Sequence, residues 1–151
     1  MTMLRDITDA EPDERTTMTT NPFEIALPIA DRWRAMVFYR EAFGFEALGE
    51  PAEDGAPEPL RIRVDDHAVL TLIPADGLAW VLGETRQVAR PGTSECLMTR
   101  VVPTEADVDA LLDRVREAGG EVVNAAERRP WGYDGVCADP DGHLWQVTVQ
   151  S

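Results

Sequence analysis

Residues 138–147 read Ala-Asp-Pro-Asp-Gly-His-Leu-Trp-Gln-Val, and the reappearance of this pattern's surroundings earlier in the chain decides the fold. Asp139-Pro140-Asp141-Gly142 carries the residues of a tight turn, with proline presetting φ and glycine free to take the left-handed position. Short β-type runs flank it, Tyr133–Ala138 and His143–Val149, so the segment predicts a hairpin. Upstream lie a strand over Glu121–Asn124, a loop through Trp131, and Gly119-Gly120 as a helix stop. The helix before that stop opens on Thr104 with Asp107 in a capping-box pattern, and Val108, Leu111, Leu112 and Val115 line one face of it. A strand from about Glu95 to Val102 completes a β-α-β-β-β unit.

The same order is written once before. Phe23–Ile29 alternates as a strand, Asp31 caps a helix through about Phe43, and Gly44 ends it. Strands at Phe45–Leu48, Leu60–Val64 and Ala68–Ile73 follow, with a Pro/Gly/acid loop from Gly49 to Pro59. Asp31 and Thr104 are 73 residues apart, while Gly44 and Gly119, and Thr71 and Gln146, are each 75 apart. Helix start, helix stop and last strand keep step, which identifies two copies of one unit. The predicted fold class is therefore α+β: two tandem β-α-β-β-β modules, their helices outside, their sheets forming a cup.

Strand alternation then predicts which side chains line the cup, on the sheet face opposite each helix. From the first module these are Glu24, Ala26, Pro28, Arg61, Arg63, Val69, Thr71 and Ile73. From the second they are Leu97, Thr99, Val101, Leu144, Gln146 and Thr148. His143 is out of phase with Gln146, and His67 with Thr71, so both histidines read as structural or surface residues. Trp33 and Trp145 are expected to pack in the core. Trp131 and Tyr133, beside Pro130 and Gly132, are placed at a cavity rim where flat rings could stack on a ligand, with core or dimer packing as the competing reading.

Fourteen Lys plus Arg stand against twenty-eight Asp plus Glu, a net charge of −14 that repels phosphate backbones and anionic lipid. No nucleic-acid or membrane partner is expected. No run approaches the roughly 18 apolar residues of a membrane span, and the N-terminus lacks the apolar stretch of a signal peptide, so a cytoplasmic protein is expected. Cys96 and Cys137 make no disulfide framework and read as reduced, buried thiols. Residues 1–20 are read as a flexible tail, with Met1 and Met18 both open as starts. Residues 21–150 form one domain: module 1 at 22–74, a linker at 75–93 and module 2 at 94–150.

The closing run 138–147, together with Glu24 to Asp31 and the helix Arg34-Ala35-Met36-Val37-Phe38-Tyr39, resembles the vicinal oxygen chelate superfamily. That superfamily includes glyoxalase I, bleomycin-resistance proteins, fosfomycin-resistance enzymes and extradiol dioxygenases. For its metalloenzymes the resemblance implies a divalent ion held by His, Gln or Glu from the first and last strands of each module. The matching positions are Glu24, Thr71, Leu97 and Gln146, of which only Glu24 is a strong donor; a register with Glu95 in place of Leu97 would add a second carboxylate. A transition metal needs two or three convergent imidazole, carboxylate or thiolate donors, so no metal and no cofactor are expected.

A carboxylate in an apolar cup must be paired or have its pKa raised, and Arg61 and Arg63 are the candidate partners for Glu24. The expected ligand-binding set is Glu24, Arg61, Arg63, Thr71, Leu97, Thr99, Trp131, Tyr133 and Gln146. The leading functional expectation is a homodimeric protein binding a small organic molecule, similar to the antibiotic-sequestering members. The alternatives are a lyase, isomerase or dioxygenase using Glu24 as a catalytic general base, or an unusual metal site.

Overall fold

The computed structural model describes residues 22–83 and 85–150, and the expected tail at 1–20 lies outside them. The elements are β1 (Phe23–Ile29), α1 (Arg32–Phe38) running into a π-helical turn (Tyr39–Phe43), β2 (Glu46–Leu48), β3 (Leu60–Asp65), β4 (Ala68–Pro74), α2 (Ala75–Leu82), β5 (Leu97–Val102), α3 (Glu105–Glu117), β6 (Glu121–Arg129), β7 (Gly132–Ala138) and β8 (Leu144–Val149). They build two four-stranded sheets, ordered β1-β4-β3-β2 and β5-β8-β7-β6. In each, the first and last strands of the module pair in parallel and the remaining pairs are antiparallel. The fold is the α+β duplication read from the sequence.

Local chemistry sets the helix limits. Asp31 accepts from Arg34 N at 3.0 Å to open α1. Gly44, at φ 76°, takes the left-handed residue that ends the π turn. At α3 the capping box is complete: Thr104 Oγ1 accepts from Asp107 N, and Asp107 Oδ2 accepts from Thr104 N, each at 3.1 Å.

The helix-facing sides of both sheets feed the same hydrophobic cluster. Leu27, Ile29, Leu60, Ile62, Leu70 and Leu72 come from the first module, and Cys137, Trp145 and Val147 from the second. The π turn carries the first module into the second: the Phe43 and Trp145 rings lie 4.8 Å apart, and Arg114 Nε donates to Ala42 O at 3.0 Å. Tyr39 Oη donates to Asp139 Oδ2 at 2.6 Å and accepts from Trp145 Nε1 at 3.1 Å, a fully buried polar link between the modules. Burial pushes the Tyr39 phenol well above its usual pKa, with Asp139 adding to the effect, so it stays a neutral donor. Each fully buried Leu, Ile or Phe of this cluster contributes on the order of 1.5–3 kcal/mol.

Several local expectations are corrected. The linker holds a helix, α2, which has no side-chain cap and buries none of its residues. The strand expected over 121–124 continues to Arg129 through two irregularities in its pairing with β7, so the loop is a tight connection rather than a long one. Cys96 is exposed, because it precedes β5 and is not on it. Trp33 is 47% exposed and lies over Gly55 of the loop between β2 and β3, where a Cβ would meet the ring at 2.9 Å, so it packs on that loop rather than in the core. No helix among the described residues is long and apolar enough to cross a membrane.

Candidate functional site

The alternation read from the sequence is the one observed. Odd positions of β1 turn toward the helix and even ones away: Leu27 and Ile29 are buried, whereas Glu24 and Ala26 are exposed. On β4 and β3, Thr71 stands opposite both Ala26 and Arg61, and Val69 opposite both Glu24 and Arg63. This register brings three of the expected site residues together. Arg61 Nε and Nη2 donate to Glu24 Oε1 and Oε2 at 3.3 and 2.9 Å, and Thr71 Oγ1 donates to Glu24 Oε1 at 2.8 Å. The Arg61 bonds first, then the Thr71 bond, hold the Glu24 carboxyl below its usual range. Glu24 is thus paired with Arg61 as expected, although it is exposed and not enclosed in an apolar cup. Arg63, on the same face, turns to Asp66 instead.

The second module carries its own cluster. Thr99 pairs with Gln146 in the β5–β8 register, and Thr99 Oγ1 donates to Gln146 Oε1 at 3.2 Å. Gln146 Nε2 donates to Asp134 Oδ2 at 2.6 Å, and Trp131 Nε1 donates to the same oxygen at 2.7 Å. Arg129 Nε donates to Asp134 Oδ1 at 3.0 Å. Burial by itself would push the Asp134 carboxyl up, but the bonds from Trp131, Gln146 and Arg129 outweigh it and hold it low. The anchored indole remains 66% exposed, an open aromatic surface beside the Gln146 amide.

Asp134 is the residue the sequence reading missed. It is in phase with Val136 and Ala138 on β7 and stands opposite Thr148, so the alternation that selected Thr148 selects Asp134 as well. The adjacent Tyr133 is therefore out of phase. It is not at the cup but on the helix side, where its hydroxyl donates to Asp109 Oδ1 of α3 at 2.7 Å. That bond, ahead of a small desolvation, raises the phenol pKa.

The two clusters lie on different sheets, and among the described residues no hydrogen bond joins them. Leu97 and Val101, in phase with Thr99, leave the inner face of β5 open at 51% and 52% exposure. Leu97 stands opposite Leu144, so it holds the strand position and Glu95 lies ahead of the strand. His143 is tied to the first module, with Nε2 2.6 Å from Pro28 O.

As a metal site these positions do not fit. Glu24 is taken up by Arg61 and Thr71, Leu97 has no donor atom, and Gln146 bonds Asp134 and Thr99. Among the described residues no three His, Cys, Asp or Glu side chains converge as a metal ligand set would.

The sequence model of the glyoxalase/bleomycin resistance protein/dioxygenase superfamily matches residues 22–147. The chain belongs to that superfamily. An uncharacterized protein of Mycobacterium tuberculosis is 32% identical to it over 123 residues, 80% of this chain and 69% of the other. Among solved structures, a glyoxalase-related enzyme from Fulvimarina pelagi superposes with a TM-score of 0.73 at 26% identity, covering 87% of this chain and 88% of its own. TnmS3, an antibiotic binding protein from Streptomyces sp. CB03234, superposes with a TM-score of 0.57 at 25% identity, covering 87% of this chain and 97% of its own. Superfamily membership thus joins enzymes and binders on one scaffold, and the site has to decide between them.

Proposed function

We propose that this superfamily member binds a small polar or aromatic organic molecule on its inner faces without transforming it. The state of Glu24 carries the reading. A general base working near neutral pH needs a pKa raised toward neutrality, and the Arg61 and Thr71 bonds move Glu24 the other way. A carboxylate held ionised, partly exposed and already paired with a guanidinium is suited to exchanging hydrogen bonds with a ligand, not to taking its proton. Trp131 offers a flat wall and Gln146 an orienting amide. The description of TnmS3 as an antibiotic binding protein supports the same class of ligand.

The binding unit is a homodimer of the domain at 21–150, in which a second copy covers the open Leu97–Val101 stripe of β5 and completes the cup. The protein works in the cytoplasm; an exposed free thiol at Cys96 suits a reducing compartment.

A panel of aromatic antibiotics and metabolites, bleomycin included, tests this by thermal shift. A ligand at 100 times its dissociation constant adds about 2.7 kcal/mol to stability and changes tryptophan emission. Glu24→Ala weakens that ligand at least tenfold, and unchanged affinity removes Glu24 from the site. Conversion of the ligand to a product, followed by mass spectrometry, would overturn the binding reading. Light scattering at the mass of one chain would overturn the dimer.

A further inference from the structure

Apart from the two polar clusters, a cavity of about 380 Å³ runs along the free edge of β1. Its walls are Pro28 of β1, Leu78 and Leu82 of α2, Val88 of the following segment, and Asp141, Gly142 and His143 of the closing turn. The volume lies within the roughly 300–1,000 Å³ of small-molecule pockets, and the lining is mainly apolar.

One wall residue is chemically unfinished. Asp141 is 9% exposed, and its Oδ1 accepts from Ala30 N at 2.9 Å with Arg34 Nη2 3.7 Å away. Its Oδ2 is sealed from solvent and has no hydrogen-bond partner. A buried carboxylate oxygen left unpaired is costly, and burial accordingly raises the Asp141 pKa. Arg90 and Glu95 are both exposed and offset each other, the His143 ring is tied to Pro28 O, and Arg34 stands by Oδ1 alone, so Oδ2 is the acceptor left for a cationic donor.

The segment that lines the cavity beside Asp141 is loosely held. Gly92 sits against Gly142, where a Cβ would come within 2.9 Å of Gly92 N. Among the described residues, the hydrogen bonds of segment 85–96 stay within the segment: Thr93 N to Arg90 O, Ser94 Oγ to Cys96 O, and Arg86 Nη1 to Thr85 O. Moving Pro91–Gly92 off Gly142, the residue next to Asp141, breaks none of these hydrogen bonds.

We propose that this cavity is a second ligand site, selective for an amphipathic organic cation whose ammonium N–H pairs with Asp141 Oδ2 once Pro91–Gly92 moves aside, its apolar part lying against Leu78, Leu82 and Val88. The site is distinct from the Glu24 cluster and stands independently of it.

Calorimetry on the full chain with 4-phenylbutylamine, 4-phenylbutanol and 4-phenylbutyrate tests the inference. The amine binds at least tenfold more tightly than the alcohol, and the acid more weakly than either. Cys96 reports the location, because it is an exposed thiol in the cavity wall whereas Cys137 is buried: bound amine slows iodoacetamide labelling of Cys96 at least threefold. Asp141→Asn keeps an acceptor for Ala30 N and removes the preference for amine over alcohol. Ala75→Trp, on an exposed wall position, blocks the cavity without touching Asp141 and removes amine binding, so the test survives a failure of Asp141→Asn to fold. Equal affinity for amine and alcohol, an unchanged Cys96 rate, or amine binding that survives either folded variant overturns the proposal.

Discussion

Glu24 and Asp134 occupy equivalent situations in the two modules: each is a carboxylate on an inner sheet face bonded to an arginine of its own module. They differ in what surrounds the pair. Glu24 keeps 39% of its side chain exposed and Arg61 33%, whereas Asp134 keeps 2%. An ion pair open to water is worth little and can be rearranged, while a buried carboxylate saturated by donors is fixed. In the proposed binding site the first cluster is therefore the adaptable part and the second the rigid part, with Asp134 holding the Gln146 amide and the Trp131 ring in place.

That contrast can be broken by measurement. Asp134→Ala strips the acceptor from Arg129, Trp131 and Gln146 and costs about 2–3 kcal/mol in urea unfolding, with red-shifted tryptophan emission as the indole loses its anchor. A loss under 1 kcal/mol would dissolve the distinction. Glu24→Ala, by contrast, stays within about 1 kcal/mol of the parent, as expected for a partly exposed pair. The smallest effect separates them by pH. Both carboxyls are held low in the folded chain, so each contributes stability that is present above its ordinary pKa, near 4, and lost as pH falls through its lowered folded value. The parent thus loses stability more steeply below about pH 4 than either variant, and identical acid profiles would remove both groups from the linkage.

The parts of this arrangement that follow period two were legible in the sequence. Alternation along β1, β3, β4, β5 and β8 placed Glu24, Arg61, Thr71, Thr99 and Gln146 on the correct faces, because a strand has two sides and burial chooses one. The same rule, applied through β7, would have found Asp134 and moved Tyr133 to the helix side. Trp131 is different: its ring reaches Asp134 only because the chain reverses at Pro130-Trp131-Gly132, with Gly132 at φ 142°. Helix α2 was illegible for another reason. It starts after a proline without a capping side chain, contains Gly77, and carries the run Leu78-Ala79-Trp80-Val81-Leu82, apolar on all sides with no polar face to set a helical period, so neither cap nor amphipathic pattern announces it.

The link from Tyr39 to Asp139 and Trp145 has a consequence for how the duplication can be taken apart. Either half, expressed as a separate fragment, would expose one side of an aromatic and carboxylate joint that the other half is shaped to cover. The ancestral repeat has become a pair of complementary pieces, and the two should melt in one transition rather than two.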